Sequence, residues 1–243
     1  MRRLALVAAV FVLCTGCKLS IAVGVDARSD GSGVVRATVT LDRAAAERLA
    51  ATGGRLDAAD LRKAGWTVTG PEKTKDGGAV LAATKPFNTP GELDAVIAEV
   101  AGSRHPLHDF RLTRTRSFAR TRMKFSGVVD LTGGVAAFGD ERLKEQTGTD
   151  SGVDAAELAR QAGTTLNQFF SIRVVVRLPG SVSANAPSQA GNGAVWAPRL
   201  GERAALAASS SQFDAGRVIF VVIAFAGAVG LIVVLMRRRI REP

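Results

Sequence analysis

The sequence predicts an α+β fold, an antiparallel sheet of hairpins with helices packed on one face, plus one C-terminal transmembrane helix. Three observations predict it. Alternating apolar and polar runs come in pairs around glycine- and aspartate-rich turns, the pattern of hairpins with one buried face. A well-marked helix with an i, i+3, i+4, i+7 apolar stripe lies between two of those pairs, and such a stripe must lie on something, most simply the open face of the sheet. Residues 218–236 (VIFVVIAFAGAVGLIVVLM) hold neither a charge nor a proline, and Arg237, Arg238, Arg239 and Arg241 follow almost at once.

The elements follow in chain order. Leu19, Ile21, Val23 and Val25 alternate with small or polar residues, the Ser29-Asp30-Gly31-Ser32-Gly33 cluster turns, and Val35, Ala37, Val39 and Leu41 alternate again. Two short helices are expected over 43–52 and 58–64, stopped by Gly53-Gly54 and Gly65, with Asp57 as an N-cap. A second hairpin joins 66–69 to 79–82 through Lys75-Asp76-Gly77-Gly78. Thr89-Pro90-Gly91-Glu92 then supplies an N-cap, a first-turn proline and a capping-box acid. Leu93, Val96, Ile97 and Val100 form the stripe behind it, and Gly102 closes the helix. The third hairpin pairs 110–117 with 120–131. Weaker helical patterns follow over 140–146 and 155–162, then strands over 172–178 and around Val195-Trp196.

The ends predict where the chain resides. Met1-Arg2-Arg3 precedes an uncharged run over 4–13 (LALVAAVFVL). As a helix it rises about 15 Å, half of a bilayer core, so it has the size of a secretory leader and not of a span. Thr15-Gly16-Cys17 resembles a bacterial lipobox, in which the cysteine takes a diacylglyceryl group and becomes the first mature residue; the third position before it is Cys14, where leucine is commonest. A redox Cys-x-x-Cys belongs inside a folded domain, and a zinc site needs about four ligands where only His105 and His108 are available. The arginines after 218–236 place that end in the cytoplasm. The expected organisation is therefore a signal peptide over 1–16, an extracytoplasmic domain over 17–200, a juxtamembrane linker over 201–217, a membrane helix over 218–236 and a basic tail over 237–243.

The formal charge of +10 includes targeting charge. Six of the 32 basic residues and one of the 22 acids lie in the leader and tail, so the exported part keeps 26 against 21, a net of +5. Nucleic acid is excluded as a partner by compartment and by this modest excess. Enzyme motifs are missing: there is no nucleophile elbow, zincin helix, P-loop or dinucleotide fingerprint, and no cofactor is implied. One local feature stands out. Arg111, Arg114, Arg116, Arg120, Arg122 and Lys124 fall in the third hairpin with no acid from Phe110 to Val129. They are read either as a solvated sheet face or as a seat for an anionic phospholipid or glycolipid headgroup.

The order of short motifs resembles the LppM-type actinobacterial lipoproteins. It runs from the lipobox through Asp30-Gly31-Ser32-Gly33, Phe87-x-Thr89-Pro90-x-Glu92-Leu93 and Leu178-Pro179-Gly180 to Asn185-Ala186, Val195-Trp196 and the C-terminal apolar run. The resemblance implies an envelope lipoprotein with an α+β domain able to bind phosphatidylinositol-based glycolipids, and it brings no catalytic residue. Cys17 carries over as the lipid acceptor; Asn185 and Trp196 match family-like positions and serve equally well as a turn and a core aromatic. Two functions stand. One is capture of a lipid in an apolar groove between helix and sheet with arginines at its mouth. The other is a scaffold or regulatory subunit binding an envelope protein.

Overall fold

A computed structural model describes residues 17–51, 56, 58–102, 104–133, 169–214, 216, 223, 227 and 230. Its strands are β1 Leu19–Ala27, β2 Gly33–Leu41, β3 Thr67–Lys73, β4 Ala79–Phe87, β5 Leu107–Arg116, β6 Arg120–Asp130, β7 Phe170–Arg177, β8 Ser181–Ala184, β9 Ser188–Ala190, β10 Gly193–Trp196 and β11 Arg203–Phe213. Three helices are described, α1 Arg43–Ala51, α2 Ala59–Lys63 and α3 Leu93–Ala101.

The strands form two sheets where one was expected: seven strands in the order β3-β4-β2-β1-β7-β10-β9, and four in the order β5-β6-β11-β8. The three predicted hairpins pair as expected, β1 with β2, β3 with β4 and β5 with β6. What hairpin reasoning misses is β7, which enters the large sheet beside β1 in parallel, Val23 opposite Val174. Parallel partners are distant in sequence, here separated by more than 140 residues, so no local turn announces them.

The described helices do not cover a face. Neither α1 nor α2 buries a side chain. Among the described helices α3 buries its stripe, Leu93, Val96, Ile97 and Ala101, against β5, β4 and β2, while α2 only lays the half-buried Leu61 on the core. The inner faces of the two sheets meet in one core that includes Val25, Val35, Phe87, Phe110, Phe125, Val174 and Trp196. The Phe110 and Phe125 rings meet edge-on at 5.8 Å, and Trp196 of the large sheet lies 6.3 Å from Phe125 of the small one. The class is thus predominantly β, which corrects the α+β expectation.

A second correction concerns 201–217. Arg203–Phe213 is β11, a central strand of the small sheet paired with β6 along its whole length and with β8 near its end. Its inward residues are Leu206, Ala208 and Ser210, all buried. A strand whose core face carries alanine and serine shows little hydropathy contrast, so it reads as a linker. The membrane helix expected over 218–236 and the helices over 140–146 and 155–162 lie outside the described residues, apart from Ile223, Gly227 and Gly230. Among the described residues no helix is long and apolar enough to cross a membrane.

Local chemistry explains the ends. Asp42 Oδ1 accepts the Ala45 N–H at 2.8 Å and caps α1. Pro90–Glu92 forms a 3₁₀ turn that runs into α3. Glu92 reaches back, accepting the Asn88 N–H and the Thr89 hydroxyl, each at 2.9 Å. These bonds, the Asn88 N–H foremost, hold its carboxyl below the ordinary range. A depressed carboxyl stabilises the fold above its unfolded pKa, and that contribution is lost as pH falls through the folded value.

Candidate functional site

The basic hairpin does form, and the strand pleat divides its cations. Pairing opposes Arg111 to Ser126, Thr113 to Lys124, Thr115 to Arg122 and Arg116 to Thr121. Met123, Phe125 and Leu112 point into the core, so Arg111, Arg120, Arg122 and Lys124 stand on the outer, exposed face. Arg114 and Arg116 take the opposite parity. Arg114 is half-buried, its Nε donating to the Ser29 carbonyl at 2.8 Å across from the β1–β2 turn.

A bulge sets this parity. The register shifts by one residue between His108 and Arg111, so Leu107 and Phe110 both face inward although three positions apart. Asp109 sits there at φ 57°, and Asp94 of α3 accepts the Phe110 N–H at 2.8 Å. The helix therefore holds the bulge that turns Arg111 outward. Both histidines lie near it. His108 Nδ1 is 2.9 Å from Asp109 Oδ2 at the surface.

The outer face of the small sheet is an ordered grid. Thr113, Lys124, Ser209 and Ser183 lie in one row across all four strands; Thr115, Arg122, Ser211 and Ser181 form the next. Rows of one face are about 7 Å apart. Down the middle runs a file of cations, Arg120, Arg122 and Lys124, with hydroxyls on both sides of Arg122 and Lys124 and Phe213 beside Arg120. A trough of about 490 Å³ crosses this face, lined among others by Arg111, Thr113, Lys124, Ser126, Ser183 and Ser209.

Charge separates this trough from a second hollow. Near the hairpin tip about 420 Å³ is lined by Arg114 and Arg116 but also by Asp30 and Asp214. The Ser32 hydroxyl and N–H, at 2.7 and 2.9 Å, hold the Asp30 carboxyl below its usual range, so it stays anionic. That hollow offsets its own cations. The outer face does not. Asp26 pairs with Arg36 and Arg177, Glu99 with Lys85 and Asp130 with Arg203. Among the described residues no ion pair joins an acid to Arg111, Arg122 or Lys124.

The groove expected between helix and sheet is filled. Leu93 and Ile97 of α3 are fully buried among core side chains, so arginines at the mouth of such a groove are not what the fold provides. The motif residues explain themselves structurally. Asn185 Oδ1 accepts both the Trp196 indole N–H and the Ala207 N–H at 2.9 Å, and its Nδ2 donates to the Ala205 carbonyl at 2.8 Å. One amide thus ties β8, β10 and β11. Asn185→Ala strips the acceptor from the buried indole and should cost about 1–2 kcal/mol. Chemical denaturation followed by tryptophan fluorescence would show it as a lower midpoint with an unchanged slope; an unchanged midpoint would deny the tie.

Cys17 carries a free thiol, half-buried, two residues ahead of β1. Among the described residues no group of three His, Cys, Asp or Glu side chains could hold a metal. Sequence reasoning missed the hydroxyl files, Ser181 to Ser183 and Ser209 to Ser211, and the exposed Phe118 and Phe213 beside the cations. The signal for Phe118 was present, an aromatic at the turn of an arginine-rich hairpin (RTRSFARTR, 114–122).

No protein-family model matches the chain, and no curated protein matches it. Among solved structures it is similar to the NMR structure of the folded domain of Mycobacterium tuberculosis LppM. That likeness has 15% identity and a TM-score of 0.46, and it covers 84% of this chain and 95% of that one.

Proposed function

We propose that the chain is a non-enzymatic envelope lipoprotein, acylated at Cys17, whose small sheet holds the headgroup of an anionic membrane lipid at the outer leaflet. The headgroup class is a phospholipid or a glycolipid of phosphatidylinositol-mannoside type. One observation carries the reading: Arg122 and Lys124, with Arg111 nearby, stand unpaired on a face whose flanking positions are hydroxyls. Cations suit a phosphate, and Ser and Thr hydroxyls suit the polyol or sugars attached to it. Each cation near an anionic surface contributes about 1 kcal/mol. The trough is open, and Phe125, Ala184, Ala207 and Ala208 line it beside the cations and hydroxyls, so it offers a headgroup both charge and an apolar floor.

The test uses the full chain, extracted from its own membranes in mild detergent. Native mass spectrometry should show a retained anionic lipid, and the N-terminal peptide should begin at an acylated Cys17. Arg122→Glu with Lys124→Glu reverses four charge units and should lower retention by about a hundredfold or more at low salt. Retention equal to that of the unaltered chain would end the proposal. If crosslinking in intact membranes then placed a protein on this face, the scaffold reading would replace it.

A further inference from the structure

At the tip of the β5–β6 hairpin, with the end of β11 beside it, stand two of the three exposed large hydrophobic side chains among the described residues, Phe118 at 60% and Phe213 at 57%, Ile223 being the third. The two phenylalanines share one rim. Phe118 sits in the three-residue turn between β5 and β6, closed by the Ser117 N–H on the Arg120 carbonyl at 2.8 Å. Phe213, the last residue of β11, stands opposite Arg120, and the Asp214 N–H bonds the Ala119 carbonyl at 2.9 Å. Neighbouring strands are about 4.8 Å apart, so two aromatics lie within one or two residues' reach of each other.

Nothing in the core needs them there. A soluble hairpin turn would be expected to carry glycine, asparagine or serine, and a β-strand end beside solvent gains nothing from phenylalanine. What surrounds them is cationic. Arg120 follows Phe118 by two residues and is exposed, and Arg122 and Lys124 continue the file along the same outer face as Phe213. Asp214 and Asp30 are the acids at this end, and they face the hollow on the inner side with Arg114 and Arg116. Aromatic side chains projecting from a rim of arginines have the chemistry of a bilayer interface: rings among the upper acyl segments, guanidinium groups at phosphates.

We infer that this tip is a membrane-inserting edge, in which Phe118 and Phe213 enter an anionic lipid surface while Arg120, with Arg122 behind it, holds its phosphates. The inference concerns the tip and stands apart from which headgroup fills the trough. It also orients the domain. Arg114 bonds Ser29, so the tip lies at the Ala27 end of β1, whereas Cys17 precedes the Leu19 end. Nine residues of strand separate these ends by about 30 Å. With Cys17 acylated, the domain is held at both ends and β1 runs along the bilayer instead of standing upright on it.

The experiment places a reporter tryptophan at the tip of the full chain, Phe118→Trp or Phe213→Trp, reconstituted into vesicles with acyl chains brominated near the glycerol. Trp66 and Trp196 are 4% and 3% exposed and supply a constant background. The control is Glu72→Trp on the exposed edge strand β3. In vesicles containing phosphatidylglycerol, tip emission should shift to the blue and be quenched, and the control should do neither. In phosphatidylcholine vesicles the tip quenching should largely disappear. Quenching no greater than the control's overturns the inference, as does equal quenching in both lipids. Burial of the tip seen only in native membranes, and never in protein-free vesicles, overturns it in favour of a protein partner. The double variant Phe118→Ser, Phe213→Ser should retain headgroup lipid as the unaltered chain does, so loss of insertion and loss of headgroup capture are read separately.

Discussion

Gly33→Val is expected to destabilise the domain by about 3 kcal/mol or more, at the upper end of what overpacking does. Gly33 opens β2 opposite Phe87 of β4 and Ala27 of β1. A Cβ there would stand 2.3 Å from Phe87 Cζ and 2.4 Å from the Asp26 carbonyl oxygen. Phe87 is 1% exposed and packed in the central cluster, so its ring has nowhere to go. The carbonyl belongs to the ladder between β1 and β2 and cannot retreat without breaking it. Phe87→Leu in the Gly33→Val background should therefore recover only part of the loss. Denaturation midpoints of the two single variants and the double would show it: full rescue would mean that the ring alone sets the clash, and no loss in Gly33→Val would mean that the two strands are not registered this way. Gly127 uses the same device more mildly, since its Cβ would meet only the Phe110 ring, at 2.9 Å.

The same region shows how much of this molecule its sequence carries. The Asp30-Gly31-Ser32-Gly33 and Phe87-to-Glu92 motifs, more than fifty residues apart, are neighbours: Gly33 opposes Phe87, and Gly31 packs beside Pro90. Each was legible as a turn or a helix start, because turn chemistry and capping are local. Their adjacency was not, since it depends on β2 pairing with β4. The hairpins were legible from alternation, and so was the parity that sets Arg120, Arg122 and Lys124 in one file. Arg111 escaped that logic because the bulge after His108 resets parity, and the bulge is held by Asp94, which reads as an ordinary first-turn acid. The parallel β1–β7 contact and the alanine-serine strand β11 were invisible for a different reason: the first has no local signal, and the second has too little contrast between its faces. The hydroxyl files of the candidate site come from β8 and β11, so they went unseen with those strands.

Glu99→Ala should cost about 2–4 kcal/mol, because one carboxylate satisfies two groups at once. Glu99 Oε2 accepts the Trp66 indole N–H at 2.6 Å, and both its oxygens lie 2.7 Å from Lys85 Nζ. Lys85 also donates to the Ala64 carbonyl at 2.7 Å. The network ties α3 to β4 and to the turn before β3, elements that no hydrogen-bond ladder joins. Trp66 is 4% exposed, whereas the lysine and glutamate side chains are 21% and 32% exposed. The ion pair is thus partly screened, and its charge contributes less than the hydrogen bonds it organises. Glu99→Gln keeps an acceptor for the indole and loses only the charge, so it should cost about 1 kcal/mol. Glu99→Ala leaves the indole N–H without its partner and the ammonium with a single carbonyl. Equal losses in the two variants would show that charge, and not the buried indole, sets the energy. The consequence reaches the candidate site. Asp94, one turn earlier on α3, fixes the bulge that faces Arg111 outward. A helix loosened at Glu99 should therefore weaken lipid retention in proportion to the fraction of molecules in which α3 has left its seat, and that fraction should fall as the chain is restabilised by cooling towards its stability maximum.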